Sequence, residues 1–223
     1  MNSDGYHMPN PFSTVPASEA RNTQLALALR DQLASAQLRL VLVESCTAGR
    51  VAACLGVLPG ISQWLCGSLV VYRSASKSAW LGVPPSLLED PQQGPVSPAA
   101  SRWLAQAALE RTPEADLSIA ITGDVGPGAP PEKDGFIFLA AARRLPAQQE
   151  IFPTQHNIFS AQQNKSTATS DQPPASTGSL IERQQHLTAP GPRDNFDIAA
   201  RQARLYEATE WTLKFAAEVT AHR

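Results

Sequence analysis

Residues 38–58, LRLVLVESCTAGRVAACLGVL, join a run of β-formers to a stretch of small and apolar residues at helical spacing. Leu38 to Val43 predicts a short buried strand and Cys46 to Leu58 a packed helix, with Glu44 and Ser45 at the turn between them. Outward from this unit the alternation repeats. Upstream, Ser18 followed by the Leu25, Leu27, Leu29 and Leu33 set predicts an amphipathic helix. Downstream, Cys66 to Tyr72 predicts a strand, Ser74 to Leu81 a short helix ended by Gly82, and Ser97-Pro98 the capped start of a helix running to about Arg111. Leu117 to Ile121 and Phe136 to Ala142 predict two further strands, and Asn195 to His222 a final helix. Strands alternating with helices define an α/β fold, a layered sheet covered by helices on both faces.

Residues 1–17 are polar and contain proline, and are expected to form a disordered arm before a single domain over 18–223. Between about 160 and 190, Gln, Ser, Thr, Asn and Pro dominate, so this stretch is expected to be a disordered, low-complexity insert dispensable for folding. Ile151 to Phe159 is expected to be an edge strand just before it.

Composition limits the function. A formal net charge of −2 with Lys and Arg scattered singly or in pairs gives no basic face for a phosphate backbone, which argues against a nucleic-acid partner. No run of about 18 apolar residues occurs, and the N-terminus lacks a positive and then apolar leader pattern, so a membrane partner and secretion lack support. The odd number of cysteines, Cys46, Cys54 and Cys66, favours free thiols in a reducing compartment, and a cytoplasmic location is the expectation. The four histidines fall in the tails or the 145–193 region and there is no C-x-x-C pair, so no metal site or cofactor is expected.

The segment Glu44-Ser45-Cys46-Thr47-Ala48-Gly49 lies where a strand turns into a helix, a place where free backbone N–H groups can face an oxyanion. Ser45 is a candidate nucleophile, with Cys46 as the alternative, and Lys77 and Tyr72 are the candidates for its base on and after the next strand. A lysine serves only if burial lowers its pKa enough to populate the amine. The loop Thr122 to Lys133, with Gly123 and Gly126, can bring backbone amides close to a phosphate. Plainer roles fit the same residues: Ser45 as a helix N-cap, Lys77 as a solvated charge, and the Gly/Pro loop as a turn.

Four motifs in order resemble the C-terminal domain of the competence/damage-inducible CinA proteins and their stand-alone nicotinamide-nucleotide amidohydrolase relatives. They are Glu44-Ser45-Cys46-Thr47 with Gly49, the Tyr72 to Lys77 spacing, Leu81-Gly82-Val83-Pro84 followed by Val96-Ser97, and Thr122-Gly123 with Gly126-Pro127 and Glu132-Lys133. The resemblance implies a Ser45 nucleophile, a Lys77 base with Tyr72 beside it, and a nucleotide site lined by the Thr122 to Lys133 loop. It also implies cofactor-free hydrolysis of a nicotinamide mononucleotide carboxamide to nicotinate mononucleotide and ammonia. Thr47, Gly49, Thr122, Gly123, Gly126, Arg193 and Arg201 are the substrate-binding residues it suggests, a small nucleotide or amide is the partner, and a homo-oligomer is an expectation.

Three departures from the family pattern stand out. Ala48 replaces a glycine, and Asp124-Val125 replaces the usual Ile-Ala. The Gly-Asp-Arg before the last helix is matched by Gly191-Pro192-Arg193 only if three residues are inserted; ungapped matching through Arg201 places Asp194-Asn195-Phe196 there. Both Asp124 and Phe196 weaken a phosphate site. Two further readings therefore stay open: an amidase for another small amide, and a non-catalytic binding or regulatory module of the same fold.

Overall fold

A computed structural model of the protein describes residues 17–144 and 178–221. Helix α1 (Ala17–Ala36) is followed by strand β1 (Leu40–Glu44), helix α2 (Arg50–Gly56), a 3-10 turn (Ile61–Gln63) and strand β2 (Leu65–Val70). Helices α3 (Ser74–Leu81), α4 (Pro85–Leu88) and α5 (Pro98–Arg111) lead to β3 (Leu117–Gly123), then β4 (Phe136–Arg144), β5 (Gly178–His186) and α6 (Ile198–Ala221). One sheet has the order β2-β1-β3-β4-β5. β1 runs parallel to β2 and to β3, whereas β4 is antiparallel to β3 and to β5.

The continuous apolar run of β1 is explained by burial on both sides, as in parallel strands covered by helices. Leu40 and Leu42 join a core with Ala26, Leu29 and Leu33 of α1, Leu55 of α2, and Leu213 and Phe215 of α6. Val41 and Val43 join a second core with Leu81 of α3 and Trp103, Leu104 and Ala108 of α5. β3 alternates in the same way, Ile119 and Ile121 facing the first core and Ala120 the second. Each such fully buried aliphatic side chain contributes about 1.5–3 kcal/mol. The sheet is thus a fixed platform whose parallel strands all end at one edge.

Local chemistry sets the element ends. Ser97 caps α5 by accepting from the Ala100 amide at 3.1 Å, with Pro98 at the first helical position. Gly82 ends α3 in the left-handed conformation (φ 65°), which a glycine adopts without strain. The Trp103 indole N–H donates to the Leu81 carbonyl at 3.1 Å and ties α5 to the end of α3.

Two expectations need correction. The helix expected over 46–58 occupies only Arg50–Gly56, because Ala48 (φ 52°) and Gly49 (φ 91°) are both left-handed and break any helix begun at Cys46. The stretch expected to be a disordered insert at 160–190 contains β5, which pairs with β4 from Phe136↔His186 to Arg144↔Gly178. Leu187, directly after it, is buried in the first core. The edge strand expected at Ile151 to Phe159 lies outside the described residues, as do residues 1–16.

β5 is therefore part of the folding unit. Deleting 178–186 uncovers the edge of β4 and is expected to lower stability by about 3 kcal/mol or more. Urea unfolding of the deletion variant measures this, and an unchanged midpoint would show that the strand is peripheral.

Candidate active site

The three parallel strands deliver their following residues to one place, at the carboxyl edge of the sheet where α/β folds bind ligands. Ser45 follows β1, Tyr72 follows β2, and Gly123, Asp124 and Val125 end or follow β3. With Cys46, Ser74, Lys77, Pro95, Val96 and Arg201 they line a cleft of ≈ 180 Å³.

The turn bearing Ser45 is held from within by Glu44. This carboxylate is fully buried and accepts from the amides of Val51 (3.1 Å) and Ala52 (2.9 Å) and from the Ser68 hydroxyl (3.2 Å). It thereby caps α2, a favourable place for a negative charge. Two consequences follow. The α2 amides are already occupied, so the expectation of an oxyanion site on that helix terminus is corrected. Ser45 is also not the cap, since Gly49 stands at the N-cap position.

One turn earlier the backbone is only partly bonded. The Ser45 amide donates to the Ile121 carbonyl (3.1 Å), and that of Ala48 donates to the Ser45 carbonyl (3.1 Å). The amides of Cys46 and Thr47, between them, have no backbone acceptor among the described residues.

Lys77 is the least expected side chain of the site, being only 2 % exposed. Its position in α3 aims it inward, where Nζ donates to the Pro95 carbonyl (2.8 Å) and to Thr122 Oγ1 (3.2 Å). The Thr122 hydroxyl donates in turn to the Pro95 carbonyl at 2.8 Å. Burial away from water disfavours the ammonium and lowers the Lys77 pKa from 10.5 to about 8, with the nearby Cys46 opposing this weakly. No acidic side chain forms an ion pair with Lys77 among the described residues.

Cys46 shares the cleft, but burial pushes its thiol up to about 12, so the thiolate is scarce at neutral pH. No hydrogen bond joins the Ser45 hydroxyl to Lys77, whose amine is bonded to Pro95 and Thr122.

The far wall comes from α6. Arg201 bonds the Gly126 carbonyl and donates to the Tyr72 hydroxyl at 2.8 Å, bridging the β3–β4 loop to the residue after β2. One helical turn on, the buried Arg204 holds Asp134 through two hydrogen bonds (2.5 and 2.9 Å) and donates to the Ala189 carbonyl (3.1 Å). That guanidinium holds the Asp134 carboxyl below its usual range. The pair fixes both ends of the loop against α6, so the loop is a framed wall of the cleft.

Of the residues expected from sequence, Ser45, Lys77, Tyr72, Gly123 and Arg201 line the cleft together. Thr122 stands behind Lys77 and orients its amine instead of facing the cleft. Gly123 is required for packing, since a Cβ there would lie 2.7 Å from Ile137 and 2.8 Å from the Phe136 carbonyl. Thr47 is buried, its hydroxyl without a partner among the described residues, and Gly49 serves the start of α2. Gly126 contributes its carbonyl to Arg201. Arg193 is not brought to the cleft: it lines a separate hollow with Pro190, Gly191, Asp194, Phe196, Asp197 and Ala200. Ser74, Pro95 and Val96 also line the cleft, though the sequence offered Val96 only as part of a family motif and Ser74 only within the Tyr72 to Lys77 spacing, and nothing in the chain singles out Pro95.

A helix-covered mixed sheet with a cleft at the carboxyl edge of its three adjacent parallel strands defines an α/β domain. The chain belongs to the CinA C-terminal domain family, which it matches over residues 22–170. It is 38% identical over 105 residues to a CinA-like protein of Desulfotalea psychrophila, covering 46% of this chain and 25% of that protein. It is 43% identical over 96 residues to a CinA-like protein of Mycobacterium tuberculosis, covering 43% of this chain and 22% of that one. The aligned stretches thus span about a quarter of the curated relatives' length. The same fold is seen in a CinA superfamily protein from Klebsiella pneumoniae (TM-score 0.67, 19% identity, 91% of this chain and 99% of that chain). It is seen again in a competence/damage-inducible protein from Agrobacterium tumefaciens (TM-score 0.63, 23% identity, 91% and 96%). Among the described residues no helix is long and apolar enough to cross a membrane.

Proposed function

We propose that the protein is an amidohydrolase in which Ser45 and Lys77 cleave a small carboxamide, with the nicotinamide carboxamide of a mononucleotide as the substrate to be tried first. The observation that carries this reading is a lysine buried in the same cleft as Ser45, with its amine tuned to about 8. A lysine so placed is costly for folding and suited to proton transfer near neutral pH.

The hydrogen bonding suits the task. A neutral amine has two N–H bonds, which the Pro95 carbonyl and Thr122 hydroxyl accept, leaving its lone pair free for the Ser45 proton. Ser45 Oγ attacks the amide carbon, its proton passes to Lys77, and the oxyanion faces the Cys46 and Thr47 amides. Lys77 returns the proton to the departing nitrogen, which leaves as ammonia. Water, deprotonated by the same amine, then hydrolyses the Ser45 ester and releases the carboxylate.

The cleft volume of ≈ 180 Å³ falls below the roughly 300 Å³ at which drug-sized pockets begin. It supports a reading in which the amide-bearing ring enters while any sugar or phosphate stays at the mouth. Ammonia release from nicotinamide mononucleotide, nicotinamide riboside, nicotinamide, glutamine and asparagine tests the proposal. Release from at least one pyridine carboxamide is expected. No ammonia from any of the five would overturn it, and a thermal shift without release would make the domain a binding module.

A further inference from the structure

Asp124, one of the departures from the family pattern, has a position that the hydrolytic steps do not use. Its residue lines the cleft together with Ser45 and Lys77. Oδ1 is anchored by the Gly126 amide at 3.0 Å, while Oδ2 has no hydrogen-bond partner among the described residues. No lysine or arginine forms an ion pair with it there. Arg201, the cleft's guanidinium, is already committed to the Gly126 carbonyl and the Tyr72 hydroxyl. The charge of Asp124 also acts on the Cys46 thiol, more weakly than the opposing charge of protonated Lys77.

An unpaired carboxylate on the wall of a small, part-buried cleft attracts a cation and repels an anion, more strongly than it would in bulk water. We propose that Asp124 is a specificity-determining residue that makes the cleft select carboxamides carried on a positively charged ring over neutral ones. A pyridine carboxamide meets that condition only when its ring nitrogen is substituted, and it does so with or without a phosphate. The ring charge, then, is what this cleft reads, and the phosphate lies outside it. The proposal rests on the amidohydrolase reading for its choice of ligand, but it concerns binding and is tested apart from turnover.

The test is calorimetric binding of N1-methylnicotinamide, nicotinamide riboside and nicotinamide to full-length Ser45→Ala protein at pH 9, above the Lys77 pKa of about 8, where that amine is largely uncharged. The two cationic ligands are expected to bind alike and about tenfold or more tighter than nicotinamide. Asp124→Asn keeps an acceptor for the Gly126 amide and is expected to bring the cationic-to-neutral affinity ratio close to one. Asp124→Ser, which also keeps an acceptor, should do the same if Asn disturbs the loop. Equal affinity for charged and neutral ligands in the Ser45→Ala protein, no binding of either cation, or a ratio unchanged in both Asp124 variants would overturn the proposal. If the ratio holds while wild-type protein releases no ammonia, the hydrolytic reading fails and the assignment of Asp124 stands. If ammonia is released from charged and neutral amides alike and neither Asp124 variant changes this, the reverse is true.

Discussion

Ser45→Ala is expected to reduce ammonia release by about 10⁴-fold or more while leaving the fold intact. Loss of a nucleophile removes the whole covalent route, which is why such variants fall so far. The effect on stability is small because the Ser45 hydroxyl does not cap α2, whose amides belong to Glu44. A thermal midpoint within a few degrees of wild type is the expected accompaniment. Cys46→Ala is the necessary control. With its thiol raised to about 12 it has little thiolate to lose, so that variant should keep most of the activity. Activity that survives in Ser45→Ala and disappears in Cys46→Ala would assign the nucleophile to the thiol.

Lys77 carries the second large effect, and it runs in opposite directions for activity and stability. The folded pKa is lowered from 10.5 to about 8, so the amine population, and with it kcat/KM, should rise with pH through about 8 and level off above it. The linkage has a definite sign. Between about 8 and 10.5 the unfolded chain holds a proton that the folded protein has released, so the contribution of Lys77 to stability increases with pH across that window. Below it both states are protonated and the full cost of the buried ammonium remains, about 3 kcal/mol from the fall to about 8. Lys77→Met removes that cost and leaves no orphaned group, because the Thr122 hydroxyl still donates to the Pro95 carbonyl. It should therefore be inactive yet about 1–3 kcal/mol more stable at pH 7, an advantage that shrinks toward pH 10.5. Lys77→Arg should be inactive as well, since guanidinium does not deprotonate at working pH. Ammonia assays and urea unfolding at pH 7 and 10 check both halves. A fully active arginine variant with an unchanged pH profile would remove Lys77 from the mechanism.

Much of this arrangement was legible in the chain, and the exceptions have physical causes. The limits of α3 and α5 could be read because Gly82 and Ser97-Pro98 are local signals that act within one turn. The start of α2 could not, because its cap is a carboxylate six residues before the first helical residue, folded back under the turn. β5 was hidden by its composition: Leu180 and Ile181 are the only large apolar residues of GSLIERQQH, and an edge strand with one solvated face needs few. Its stability comes from pairing with β4, a partner distant in sequence. In the site, Ser45 was readable as the turn after a strand and Tyr72 as the end of one, although β2 stops two residues before it. The burial of Lys77 was not, since Pro95 and Thr122, which receive its amine, come from segments 18 and 45 residues away. Of the two arginines suggested, Arg193 rested on an alignment needing three inserted residues, and the fold brings only Arg201, three residues into α6, to the cleft.

The central claim is that the acyl group passes through Ser45. Rapid acid quench of wild-type protein with a carboxamide that releases ammonia, followed by peptide mass spectrometry, addresses it directly. The account predicts the acyl mass on Ser45 as an ester. An acyl group found on Cys46 as a thioester, or on any residue other than Ser45, would contradict it.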